Sequence, residues 1–117
     1  MQTSITGRHM ELTDSLRDHA LSRLEKLNSE FPRLQHAQIV LDVEKHRQLA
    51  EVVIQAPNHV VVDAKDETSD MYASIDGAID KAEKQLRRIR DKMVDHKQES
   101  LGEMEAEIEA KQAAASG

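Results

Sequence analysis

One stretch, from Ser69 to Lys97, restricts the fold of this 117-residue chain more than any other. In it Met71, Ile75, Ile79, Ala82, Leu86, Ile89 and Met93 recur at spacings of four, four, three, four, three and four. At about 100° per residue they fall in one stripe roughly 80° wide, the pattern of an amphipathic helix with one buried face. Ser69 or Asp70 serves as N-cap, and Asp70 also places negative charge where the helix dipole favours it. On the face turned away from the stripe stand Lys81, Lys84, Arg88 and Lys92, with Arg87 and Arg90 on its other flank. Six cations and two acids between Lys81 and Lys92 give a local net of +4, in a chain whose formal net charge is −6.

The rest of the chain supplies what that helix packs on. Residues 2–8 form a short, Thr-rich strand with Thr3, Ile5 and Gly7 on one face, the glycine marking a bulge or a close backbone approach. Thr13 then caps a second amphipathic helix, in which Leu16, Ala20, Leu24, Leu27 and Phe31 step by four, four, three and four. It ends before Pro32, because the residue preceding proline is pushed out of helical geometry. Beside its apolar stripe runs a polar one containing His19, Arg23 and Lys26.

Three alternating segments follow. His36 to Glu44 turns Ala37, Ile39, Leu41 and Val43 inward, and Leu49 to Ala56 does the same with Ala50, Val52, Ile54 and Ala56. Residues 45–48 are a polar connection. After the turn residues Pro57 and Asn58, His59 to Lys65 directs Val60, Val62 and Ala64 inward. Such short links predict an antiparallel meander, whereas the first strand reaches the sheet across a helix, as in a parallel β-α-β unit. The expected fold class is α+β, in the order β-α-β-β-β-α, with two helices packed on one face of a four-stranded mixed sheet.

Residues 1–97 therefore read as one domain, and residues 98–117 as an acidic C-terminal segment. From Glu99 onward there are five glutamates and one lysine, a net of −4, so residues 1–98 carry only −2. Ser100-x-x-Glu103 fits a capping box and Leu101, Met104 and Ile108 a thin apolar edge, but Gly102, the A-A-A-S-G ending and the acid excess favour a flexible tail. No apolar run reaches the ~20 residues a membrane helix needs, and the N-terminus carries no signal-peptide pattern. The absence of cysteine excludes disulfides and thiolate metal sites and fits a cytoplasmic address.

Catalysis has little to stand on. There is no G-x-S-x-G, Walker loop or H-E-x-x-H, and no histidine pair has metal-ligand spacing on a predicted helix. Asp76 and Asp80, four apart, read more simply as partners in helix pairing: Asp80 with Lys84, as Glu83 with Arg87. Neither an enzyme nor a metal or cofactor site is expected. Polyanion binding is better supported, because Lys81, Lys84, Arg88 and Lys92 share a face that Arg23 and Lys26 extend if the two helices lie side by side. The bland alternative is a solvated cationic face. An acidic chain does not contradict the binding reading, since exposed charges are screened over roughly 8 Å in physiological salt. With one Tyr and one Phe, the chain cannot build an aromatic stacking platform, so RNA would be read by backbone and shape. Tyr72 is expected to pack at the core edge.

Several segments together resemble the ribosome hibernation factors, the family of hibernation-promoting factor and the ribosome-associated inhibitor. They are I-T-G-R-H-M-E-L-T at 5–13, L-R-D-H at 16–19, V-E-K at 43–45, A-E-V at 50–52, D-M-Y-A-S-I-D at 70–76 and D-K-A-E-K-Q-L at 80–86. The resemblance implies the same fold, related to double-stranded-RNA-binding domains. It also implies binding to the small ribosomal subunit (16S rRNA and ribosomal proteins, in 70S or 100S particles), in the channel of messenger RNA and tRNA anticodon arms. Idle ribosomes would be silenced there in stationary phase or stress, with no membrane and no small-molecule substrate involved. The RNA-binding residues would be Arg23, Lys26, Lys81, Lys84, Arg87, Arg88, Arg90 and Lys92, Arg87 being the weakest because Glu83 pairs with it. His19 stands where the family usually has tyrosine, and Ile89 where a polar residue or histidine is common. The acidic segment is longer than in short family members and far too short for the dimerisation domain of long ones, which leaves the effect on ribosome dimerisation open. The competing function class is a protein-interaction module regulating a partner such as a transcription factor.

Overall fold

The computed structural model describes residues 1–96, with side chains placed through Lys92. The acidic segment and the Met93 side chain lie outside the described residues. The element order is β1 (Gln2–Arg8), α1 (Asp14–Glu30), β2 (His36–Glu44), β3 (Arg47–Ala56), β4 (Val60–Thr68) and α2 (Met71–His96). The sheet runs β1-β2-β3-β4, with β1 parallel to β2 and the remaining pairs antiparallel. This is the β-α-β-β-β-α arrangement expected from the pattern. Among the described residues no helix is long and apolar enough to cross a membrane.

Alternation places the core. Ala37, Ile39 and Leu41 of β2, Ala50, Val52, Ile54 and Ala56 of β3, and Val60, Val62 and Ala64 of β4 are all buried on one face. Onto it pack Leu16, Ala20, Leu24 and Leu27 of α1, Phe31 just beyond its end, and Met71, Ile75, Ala78, Ile79, Ala82 and Leu86 of α2. Each fully buried Leu or Ile contributes about 1.5–3 kcal/mol of apolar burial, so this single two-layer core carries most of the stability. Ile89 is only partly buried, at the margin of this core.

The helix ends follow local chemistry. The Leu16 N–H donates to Thr13 Oγ1 at 3.2 Å, and α1 stops as Phe31 leaves helical geometry immediately before Pro32. Two strands run longer than their alternation predicts. β3 begins at Arg47, leaving only Lys45 and His46 as the turn, with Lys45 at φ 56°. β4 extends to Thr68 because Asp66 and Thr68 still pair with Ala50 and Gln48. Gly7 forms no bulge, since β1 and β2 stay in continuous register from Gln2 to Arg8. Nor does a close approach demand glycine there, since a Cβ would meet Met10 at 3.4 Å and Leu12 at 3.6 Å, ordinary contact distances.

Candidate nucleic-acid interface

The start of α2 is bolted to the sheet. The Ala73 N–H donates to Asp70 Oδ2 at 3.3 Å, which makes Asp70 the N-cap. One turn later Ser74, fully buried, donates to the Gln48 carbonyl of β3 at 2.6 Å and lies 2.7 Å from the Thr68 hydroxyl. On the β4 flank the helix comes so close that Gly77 sits directly against the Asp66 carboxylate. Lys81 then donates to the Lys65 carbonyl at 2.9 Å and lies 3.2 Å from Asp66 Oδ1, and Gln85 donates to the Asp63 carbonyl at 3.4 Å. Lys81 and Gln85 thus cap outward-facing carbonyls of edge strand β4.

The opposite flank faces α1, and its contacts fix how the helices lie. His19 Nε2 is 2.8 Å from Asp76 Oδ1, Arg23 donates to Asp80 at 2.5 Å, and Arg87 donates to both Glu30 oxygens at 3.1 Å. Every one of these pairs is separated by 57 residues. A constant offset means that α1 and α2 run parallel and in step, side by side on the sheet. Arg23 Nε also lies 3.1 Å from Asp76 Oδ1 without the alignment of a hydrogen bond, so that contact is Coulombic. Tyr72 packs edge-on against His19 at 5.1 Å between ring centroids and remains partly exposed. Farther along, the Arg90 guanidinium stands 4.9 Å from the Phe31 ring centroid, a cation–π contact, and 3.6 Å from Asp91.

These contacts divide the cations expected at the interface. Arg23, Lys81 and Arg87 are engaged by carboxylates of the domain itself. The Arg87 guanidinium is held further toward its charged form, first by the Glu30 hydrogen bond and then by the charges of Glu30 and Glu83. Arg90 is shared between Phe31 and Asp91, and Lys92 is half-buried and engaged as well. Lys26, Lys84 and Arg88 are exposed and have no ion-pair partner among the described residues. The expected Asp80–Lys84 pair is not formed, because Arg23 reaches Asp80 from α1 and leaves Lys84 facing solvent. The Glu83–Arg87 pair is formed, at 2.5 Å, and shared with Glu30. By the 57-residue register Lys26 lies opposite Glu83, beside Lys84, so the three available cations make a short track across both helices.

Of the acids that organise this surface, sequence reasoning passed over Asp66 and Glu30, and it read Asp76 and Asp80 as partners within α2 when both are engaged by Arg23 of α1. The signal was present in part. His19 and Arg23 stand four apart on one helix, as do Asp76 and Asp80 on the other, an opposite-charge match that becomes readable once the helices are known to be neighbours.

The sequence matches the family described as Sigma 54 modulation protein / S30EA ribosomal protein over residues 3–94. Among curated proteins it is 40% identical over 92 residues to a ribosome hibernation promoting factor of Pseudomonas putida, covering 79% of this chain and 89% of that protein. It is 41% identical over 96 residues to a ribosome hibernation promoting factor of Klebsiella oxytoca, covering 82% of this chain and 100% of that one. Among solved structures it is similar to the N-terminal domain of Protein Y from Thermus thermophilus. There the TM-score is 0.69 and the identity 31%, over 75% of this chain and 98% of that domain. With the fold, the helix register and these matches in agreement, the chain belongs to the Sigma 54 modulation protein / S30EA ribosomal protein family.

Proposed function

We propose that this chain is a ribosome hibernation factor, which binds the small ribosomal subunit in the channel of messenger RNA and tRNA and so inhibits translation in stationary phase or stress. The observation that carries the reading is the track of Lys26, Lys84 and Arg88, exposed cations with no ion-pair partner among the described residues, beside Arg23, Lys81 and Arg87, which carboxylates of the domain hold. Phosphates attract such a track, and a rigid domain seated on it blocks the channel by occupying it. No bond is made or broken. The relatives named as ribosome hibernation promoting factors support the ribosome as partner, and a ribosome-bound role places the protein in the cytoplasm. Within the expected RNA-binding set, Lys26, Lys84 and Arg88 make the primary contacts. Arg90 and Lys92 lie alongside, and Arg23, Lys81 and Arg87 hold the surface in shape.

The test is co-sedimentation with 30S and 70S particles. Lys26→Glu, Lys84→Glu and Arg88→Glu, combined, should abolish pelleting while leaving the far-UV circular dichroism and melting temperature nearly unchanged. Lys81 is left out because its loss would also unseat Asp66. Native binding should weaken as salt rises, with a log–log slope of about −2 to −3 for three phosphate contacts. Unchanged pelleting of the triple variant would overturn the mechanism. Capture of a protein partner that survives RNase and high salt would favour the protein-interaction reading instead.

A further inference from the structure

We propose that β1 is an association surface for a second copy of this chain, the two β1 strands pairing antiparallel about Ile5 so that two four-stranded sheets become one. The sheet has two edges, and the domain treats them differently. On β4, Lys81 and Gln85 donate to the Lys65 and Asp63 carbonyls. β1 has no such guard. The Gln2 N–H donates to the Gln35 carbonyl, so Gln2, Ser4, Thr6 and Arg8 turn their backbone groups toward β2. The N–H and C=O groups of Thr3, Ile5 and Gly7 therefore point away from the sheet, and they have no partner among the described residues. From Gln2 to Gly7 the strand carries neither charge nor proline, the devices that ordinarily keep an edge from pairing. The core is also less closed on this side. Ile5, Met10 and Leu12, on β1 and the segment after it, are only partly buried, whereas Val60, Val62 and Ala64 of β4 are each at most 5% exposed.

The symmetry of the strand selects a second copy as its occupant. The outward-pointing residues are spaced evenly about Ile5, so a two-fold axis there sets Thr3, Ile5 and Gly7 against Gly7, Ile5 and Thr3 of the second copy. Each facing pair exchanges both of its backbone bonds, as antiparallel ladders require. The same register sets Arg8, the one charged residue of β1, against the uncharged Gln2 of the second copy at both ends, so no like charges face each other. Ile5 meets Ile5 across the axis, which covers apolar surface that one domain leaves partly open. Such an interface is isologous and closes on itself. The joined sheet ends in β4 on both sides, where Lys81 and Gln85 stand guard, so assembly stops at two. A single strand pair is a small interface, and association is accordingly weak and dependent on concentration. The cations Lys26, Lys84 and Arg88 stand on the helices and take no part, so this pairing does not rest on the polyanion reading.

Three measurements on the full chain, free of RNA, test this. Sedimentation equilibrium between about 10 µM and about 1 mM should show the mass rising from that of one chain toward that of two. Amide exchange followed by NMR over the same range should slow about three- to tenfold at Thr3, Ile5 and Gly7 as the dimer fills. Ser4 and Thr6, already bonded to β2, should change much less. The third measurement compares variants. Thr3→Pro removes an N–H that the domain itself does not use, so it should keep its fold by circular dichroism and stay monomeric. Gln2→Glu, facing Arg8 of the second copy, should tighten the dimer about two- to tenfold at low salt, and Gln2→Lys should loosen it by a similar factor. In an acidic chain a mere change of net charge would give the opposite order for these two. A protein still monomeric at about 1 mM overturns the proposal, as does exchange at Thr3, Ile5 and Gly7 that ignores concentration. A dimer indifferent to both Gln2 variants also overturns it, because association would then lie on another surface.

Discussion

Asp66 of β4 lays its carboxylate against the Cα of Gly77 in α2, so closely that a Cβ on Gly77 would stand 1.7 Å from Asp66 Oδ2 and 3.2 Å from Asp66 Cβ. Glycine inside a helix ordinarily weakens it by about 1 kcal/mol relative to alanine. Here it allows α2 to settle on the sheet with Asp66 beneath it, and the same carboxylate receives Lys81. Gly77→Ala should therefore reverse the usual sign and destabilise by about 1–2 kcal/mol, as Asp66 is expelled from its seat and its contact with Lys81 is broken. In an Asp66→Ala background the same change should stabilise by about 1 kcal/mol. Urea denaturation of the four chains measures the coupling, and a stabilising Gly77→Ala in the native background would show that the close approach constrains nothing.

Arg23 and Lys26 lie three residues apart on α1, yet the structure gives them different work. The Arg23 guanidinium bridges Asp76 and Asp80, and its side chain is 25% exposed. Removing it leaves two carboxylates four residues apart on one helix with no cation between them. Arg23→Ala should cost about 1–2 kcal/mol of stability, and Asp76→Asn with Asp80→Asn should recover most of it. Lys26→Ala should change stability by less than about 0.5 kcal/mol. In ribosome co-sedimentation under conditions where both variants are folded, the order should invert, with Lys26→Ala the weaker binder. The same order in both assays would mean that ion pairing within the domain does not sort these residues.

How much of this was legible beforehand divides along physical lines. Periodicities of 3.6 and 2 report which face of an element is buried, and they located both helix stripes and all three meander strands, because burial is set by local spacing. They could not report that Asp80 chooses Arg23 over Lys84, a choice decided by two helices lying in step 57 residues apart. Nor could they report the Asp66–Gly77 contact, which depends on the distance between a helix and an edge strand. The net positive character of α2 was readable from the sequence. Which of its cations remain available was not, because that depends on acids contributed by α1 and β4.

The turn between β3 and β4 places both Asn58 and His59 in the left-handed region, at φ 65° and 61°, with the Val60 N–H donating to the Pro57 carbonyl at 3.4 Å. Two positive-φ residues in succession are the requirement of a type I′ turn, for which Asn-Gly is the favoured pair. Asn58 meets it, whereas His59 carries a Cβ into a conformation that glycine adopts without strain. His59→Gly should raise stability by about 0.5–1 kcal/mol, the relief of that strain being partly offset by the greater freedom of glycine in the unfolded chain. Thermal unfolding followed by circular dichroism measures it. A lower melting temperature for the glycine variant would mean that the His59 ring makes a contact worth more than the backbone strain.

On the open face of the sheet, Glu51 of β3 lies diagonally across from Asp63 of β4. Its carboxyl is raised above its ordinary value of 4.5, first by the hydrogen bond to Asp63, then by partial burial and the Asp63 charge, with Lys65 at 3.6 Å opposing. A carboxyl whose folded value is raised binds its proton more tightly in the folded state than in the unfolded one. The unfavourable contribution is therefore present at neutral pH, above the raised value. It disappears as pH falls through that value toward 4.5. Glu51→Gln removes the charge and keeps the hydrogen-bonding shape, so it should stabilise at pH 7 by less than about 0.5 kcal/mol, since the pair faces solvent and is screened. The advantage should shrink steadily as pH falls toward 4.5, where the native side chain takes up its proton. Urea midpoints for both chains between neutral and mildly acidic pH give the comparison. A gap that widens on acidification would mean that Glu51 gains more from Lys65 than it loses to Asp63.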